Sequence, residues 1–255
     1  MPSGKHSQAA TILDAMQADA SLIAPEIAGW WSAYLTNHRW RYLDVLMLLE
    51  QQQLLEGDVL DVGSVPGHLV VLLHELGIAV QGVDLAPQRV QAFWDKYHVT
   101  VTPVDIEREP LPFPADSFRA ILFSEVLEHL RWNPLFTLRE LHRVLAPGGK
   151  LLLAVPNITP IDRWGFLRGR DYQGDPVTEF QKLETVGHMG HIRLYSQREV
   201  NRFLTHTGFT PLYWTKRGKK RAGSHPVGRL VWSLIHRIPY RSDAYCSHLY
   251  VVAQK

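Results

Sequence analysis

Between residues 58 and 156 the chain alternates short apolar runs with amphipathic stretches, and that rhythm leaves few folds open to it. DVLDVGS at 58–64 reads as a buried strand, HLVVLLHELG at 68–77 as a helix closed by glycine, and AVQGVDL at 79–85 as the next strand. Residues 87–97 suit a helix with Pro87 in its first turn. Strands fit 100–106, 118–124 and 150–156, and a helix fits 134–146, with the turn APGGK before the last of these strands. Strands alternating with helices predict a mostly parallel α/β sheet, doubly wound and covered on both faces.

Helices are predicted ahead of this region at 7–18 and 38–55. Behind it, a helix is expected over 196–207, opened by a capping box of Ser196 and Glu199. TPLYWTK and SHLYVVAQ read as the last strands, and an antiparallel pairing of the two brings the sheet to seven. Residues 226–239 read as an amphipathic helix. The stretch 157–190, rich in Gly, Pro, Asp and aromatics, breaks the rhythm and is expected to form a lid or pocket wall.

A chain of 255 residues with 45% hydrophobic side chains can bury a sizeable core in one large domain. Its single cysteine, Cys246, excludes an internal disulfide and a thiolate zinc cluster. With no apolar run of signal-peptide or membrane-span length, the expectation is a soluble cytoplasmic protein without stable membrane insertion. The net charge is only +2, although KRGKKR at 216–221 concentrates positive charge and reads as a solvated loop or as a site for an anionic partner.

In a doubly wound fold, ligands sit beyond the carboxyl ends of the strands, and the unusual polar residues fall there. Gly63 lets the chain turn at the first strand end, and Gly67 lets backbone approach closely at the next helix start. Asp84 ends the second strand, where a carboxylate can accept both hydroxyls of a ribose. Asp105 ends the third, beside Ile106, a pair suited to the edge and face of an adenine. These features permit a dinucleotide or another adenosine cofactor.

Taken in order, LDVGSVPGHL, GVDLAP, DIEREPLPFPADSFRAILFSEVLEHL and LRELHRVLAPGGKLLLAVPN resemble the successive motifs of class I S-adenosylmethionine-dependent methyltransferases, over roughly residues 55–160. The resemblance implies a Rossmann-like doubly wound seven-stranded sheet with its last strand antiparallel, preceded by N-terminal helices. It also implies S-adenosyl-L-methionine as cofactor. Asp61, Gly63, Ser64 and Gly67 then fall in the loop holding the methionine part, Asp84 and Leu85 at the ribose, Asp105 and Ile106 around the adenine, and Ser124 beside the sulfonium. Val65 departs from the pattern, which commonly has glycine there. On this division, residues 1–54 form a helical segment covering the active site and 55–255 the methyltransferase domain, with 157–190 as a substrate-cap insertion.

FSEVLEHL, residues 123–130, carries the strongest chemical signal. One helical turn there puts Glu125, Glu128 and His129 on one side, where two carboxylates repel unless a proton or cation intervenes. A divalent cation such as Mg satisfies the oxygens, while the imidazole shifts the balance toward manganese, iron or zinc. His191 is the preferred fourth ligand. The run resembles the E-x-x-E-H of ubiquinone-biosynthesis O-methyltransferases and of small-RNA 2′-O-methyltransferases. Without a metal, His129 can serve as base or pack the loop.

This group favours oxygen as the methyl acceptor, because a hydroxyl needs its proton removed. The aromatics Trp164, Phe166, Tyr172 and Phe180, with Trp30, Trp31, Tyr34, Trp40 and Tyr42, imply a covered pocket and a small or medium organic substrate. His38, Arg39 and Arg41 can bind an anionic group. The alternatives are an RNA 2′-O-methyltransferase with a divalent metal, a lipid-linked substrate, a dehydrogenase, and a non-catalytic S-adenosylmethionine-binding partner protein. Oligomeric state is left open.

Overall fold

Apolar residues at successive positions fold here as strands because both faces of the sheet are covered. The computed structural model describes residues 4–158, 190–220 and 246–255, together with Val177 and Gln181. The strands are Val59–Val62 (β1), Val80–Asp84 (β2), Val101–Pro103 (β3), Phe118–Ser124 (β4), Leu145–Pro156 (β5), Thr210–Lys220 (β6) and Cys246–Gln254 (β7). They form one sheet in the order β3-β2-β1-β4-β5-β7-β6. The pairs from β3 to β5 are parallel, whereas β7 runs antiparallel to both β5 and β6. The seven-stranded doubly wound sheet with its antiparallel last strand is therefore as expected.

Period-two alternation divides each central strand between two cores. Ala120, Leu122, Leu152, Ala154, Tyr250 and Val252 face one core, and Ile121, Phe123, Leu151, Leu153, Leu249 and Val251 face the other. The first core is covered by Gly4–Met16 (α1), Pro25–Gln51 (α2), His68–Glu75 (α3) and Gln91–Tyr97 (α4); the second by Pro134–Val144 (α5) and Gln197–His206 (α6). Asn133 caps α5 by accepting from the N–H groups of Leu135 and Phe136. The Ser196–Glu199 capping box of α6 forms as predicted.

Two boundaries differ in an informative way. The helix predicted over 38–55 begins at Pro25, because Ile27, Trp31 and Leu35 continue its buried stripe toward the N-terminus. The APGGK turn is an excursion within β5: Phe118 pairs with Leu145 and Ala120 with Lys150, so the extra residues bulge out of the ladder. The cap expected over 157–190 lies largely outside the described residues, and the helix expected over 226–239 lies wholly outside them. Among the described residues, no helix is long and apolar enough to cross a membrane.

Candidate functional site

Two polar centres stand at the carboxyl ends of the parallel strands. The first is a cavity between β1 and α2. Asp61, Gly63 and Ser64 line it from β1 and the following turn, Ser124 from the end of β4, and Tyr34, Arg41 and Tyr42 from α2. Gly63 (φ 80°) and Gly67 (φ 103°) are both left-handed. A Cβ at these positions would stand 2.4 Å from Val126 Cγ2 and 2.6 Å from the Trp94 ring, so both need glycine.

Asp84 fixes the turn against β2. Its Oδ2 accepts the Val65 N–H at 3.0 Å and its Oδ1 accepts the Ala86 N–H at 2.9 Å. Val65, the departure from the family pattern, thus uses its backbone to hold Asp84. From above, the Trp31 indole N–H donates to the Pro66 carbonyl at 2.8 Å, which seats α2 on the turn. Asp61 is 4% exposed, and burial, with Asp84 adding to it against the Ser64 hydrogen bond, pushes its carboxyl up to about 7.

The remaining residues expected around a cofactor extend the rim past β2 and β3 and do not line the cavity; β3 stops at Pro103, so Asp105 lies beyond the strand and does not end it as expected. Leu85 is 57% exposed. The Val104 N–H donates to the Asp84 carbonyl at 2.9 Å, which draws the segment bearing Asp105 and Ile106 alongside. Asp105 Oδ1 accepts the Glu107 N–H at 3.0 Å, and the Ile106 carbonyl accepts the Thr137 hydroxyl at 2.9 Å.

The second centre joins the β4 end to the chain before α6. The N–H groups of Ile192 and Arg193 donate to the Glu128 carbonyl at 2.8 and 3.2 Å, which carries His191 across to Glu128. His191 Nε2 and His129 Nε2 stand 4.0 and 3.9 Å from Glu128 Oε1, and one ligand atom from each of the three lies within 4.8 Å of the others. His129 Nδ1 is 3.1 Å from the Gly190 carbonyl, so it carries the ring proton and Nε2 presents a lone pair toward Glu128. Glu128 is fully buried, and neither carboxylate oxygen has a hydrogen-bond partner among the described residues. Burial, with Glu125 adding to it, pushes this carboxyl well above the usual range.

Glu125 does not join that group, which corrects its place in the expected ligand set and in a single one-sided helical turn. The turn is only Leu127–His129, and Glu125 precedes it in left-handed backbone at φ 59°, which sends its side chain elsewhere. Glu125 Oε2 lies 3.1 Å from both Arg41 Nη1 and His248 Nε2. Burial works to raise its carboxyl, but His248 and Arg41 outweigh burial and hold it below the usual range. Arg41 also donates to the Tyr34 hydroxyl at 2.6 Å, so Glu125 orients a cation that faces the first cavity. Sequence reading left out Asp84's hold on Val65, the Glu125–His248 pair, and His68, which lines the cavity from the start of α3.

A family model described as "Methyltransferase domain" matches residues 34–213. The ubiquinone biosynthesis O-methyltransferase of Xanthomonas oryzae pv. oryzae is 34% identical over 108 residues, 40% of this chain and 44% of that protein. The match therefore spans less than half the length of that curated relative. Among solved structures, a S-adenosylmethionine-dependent methyltransferase of Thermotoga maritima superposes with a TM-score of 0.59 at 18% identity, covering 90% of this chain and 96% of that one. One from Archaeoglobus fulgidus gives 0.57 at 17%, covering 88% and 99%. At these identities the solved structures speak for the fold.

Proposed function

Because the chain belongs to the methyltransferase domain family, we propose that it moves the methyl group of S-adenosylmethionine to an oxygen of a small or medium organic acceptor. The observation carrying the choice of oxygen is the buried Glu128 carboxylate, without a partner among the described residues and faced by two imidazoles. A sulfonium methyl is already electrophilic, so the protein must align a nucleophile behind it and take up the acceptor's proton. His129, with its proton committed to Gly190, offers Nε2 for that proton.

The same three residues fit a divalent cation. One carboxylate and two imidazoles suit manganese, iron or zinc better than magnesium, and the Gly190 carbonyl fixes the His129 tautomer as an outer partner would. Such a cation, when bound, lowers the pKa of an acceptor hydroxyl. Residues 1–54 act in this reading as the cover of the site, since α2 supplies Tyr34, Arg41 and Tyr42 to the cavity, and 157–190 as the acceptor's cap. An RNA acceptor draws less support: Arg217, in the basic run, pairs with Asp44 at 3.6 Å.

Incubation with methyl-labelled S-adenosylmethionine and a panel of phenols, hydroxy acids and amines tests the proposal. Label is expected on phenolic or alcoholic oxygen, and chelation is expected to reduce it. Label confined to amines would replace the acceptor class, and transfer indifferent to chelator would remove the cation.

The first cavity gives a pH dependence. Asp61's folded pKa of about 7 lies above its ordinary 3.8, so the ligand-free fold retains a proton that the unfolded chain has lost. Stability of the ligand-free protein therefore falls as pH rises from about 4 to 7. An ammonium group of the cofactor's amino-acid tail needs the ionised carboxylate instead. Affinity for S-adenosylhomocysteine is expected to rise about tenfold from pH 6 to pH 8, and to flatten in Asp61→Asn. Calorimetry across that range reads both.

A further inference from the structure

We propose that His68 is a specificity-determining residue of the cofactor site, donating its Nε2–H to the carboxylate of the methyl donor's amino-acid tail. This rests on the S-adenosylmethionine reading and names a contact within it. The turn's own backbone has no donor left for that carboxylate. Gly63 and Ser64 donate their N–H groups to the Val83 carbonyl at 2.9 and 3.2 Å, Val65 to Asp84, and Gly67 to the Ser64 carbonyl at 2.7 Å. Pro66 has no N–H. Donors must come from what lies across the cavity or from the start of α3.

His68 answers both descriptions. It is the first residue of α3, where helix N–H groups and the helix dipole favour an anion, and its ring lines the cavity with Arg41 and Tyr34. The side chain is fully buried, and Nε2 has no hydrogen-bond partner among the described residues. Its tautomer follows from its neighbours. Nδ1 lies 3.0 Å from the Tyr42 hydroxyl, and Arg41, which hydrogen-bonds that hydroxyl, favours the rotor in which the hydroxyl donates to Nδ1. Nε2 then carries the ring proton. Burial, with Arg41 and His38 adding to it, holds His68 down at about 3, so the ring stays neutral and keeps this single donor.

The cavity accordingly has an acid, Asp61, on one wall and donors with a cation, His68, Tyr34 and Arg41, on others. That distribution complements an ammonium and a carboxylate borne on one carbon. An orphaned buried N–H is costly, and a ligand that satisfies it gains affinity while one that lacks the acceptor does not.

Calorimetry with three ligands tests this: S-adenosylhomocysteine, its decarboxylated counterpart, and 5′-methylthioadenosine, which lacks the tail. In the native chain S-adenosylhomocysteine is expected to bind most tightly. His68→Phe should weaken it about tenfold or more, leave the other two unchanged, and thus erase the preference for the carboxylate; His68→Gln, which retains a donor, should restore part of it. Equal weakening of all three ligands would make His68 a packing residue and overturn the assignment, as would unchanged discrimination in His68→Phe. If the native chain bound none of the three, the cofactor reading itself would fall.

Discussion

Replacing Asp84 by alanine is expected to weaken S-adenosylhomocysteine binding by about 100-fold or more, because its carboxylate is expected to accept two charge-assisted hydrogen bonds from ribose hydroxyls. The effect has a second component. Asp84 also accepts the Val65 and Ala86 N–H groups, so its removal releases the glycine turn as well as the sugar. The two components separate with a 2′,3′-dideoxy analogue of the ligand. The native chain should bind that analogue far more weakly than S-adenosylhomocysteine, whereas Asp84→Ala should bind both alike, because nothing remains to read the hydroxyls. Persisting discrimination in the variant would move ribose recognition to another residue and leave Asp84 as a brace for the turn.

Strand ends were legible because strand geometry is local. Asp84 and Ser124 end their strands and Asp61 stands one residue before the end of β1, and a parallel sheet brings such ends to one rim whatever the details of packing. Glycine at 63 and 67 was legible for the same reason, since a sharp turn beside a ligand leaves few other residues possible. What escaped depends on contacts distant in sequence. Glu125 finds His248 only because β7 returns antiparallel and sets His248 opposite Pro156, two residues along the rim from Ala154, whose carbonyl accepts the Glu125 N–H. It finds Arg41 because α2 lies over the turn, seated there by Trp31 from the part of the helix that the sequence did not mark. The left-handed backbone at Glu125, which separates it from Glu128 and His129, has no mark in the letters SEVLEH. His191 was legible as a candidate, but its approach to Glu128 rests on two backbone hydrogen bonds that no spacing rule foretells.

Glu128→Gln should make the protein more stable and less active at once. The carboxylate is fully buried, its oxygens have no hydrogen-bond partner among the described residues, and the imidazoles nearest it stand 3.9 and 4.0 Å away, too far for a hydrogen bond. Because burial holds this carboxyl well above its ordinary 4.5, folding above about pH 4.5 must either take up a proton or bury a charge, and the isosteric amide removes that cost without opening a cavity. The gain is about 1–3 kcal/mol, which for a chain of this size raises the melting temperature by about 2–4 °C per kcal/mol. The measurement belongs in chelator, so that no cation contributes to the fold of the native chain. Methyl transfer should fall by about 100-fold or more, the usual contribution of a positioned acid or base, while S-adenosylhomocysteine affinity holds, because the cavity that would take the cofactor is lined by other residues. On the proposed reading, the stability given up at Glu128 keeps a carboxyl beside the His129 ring that takes the acceptor's proton, or available to a cation. A lower melting temperature for Glu128→Gln in chelator would mean that the carboxylate is compensated within the fold, and it would then be a structural acid rather than the centre of the chemistry.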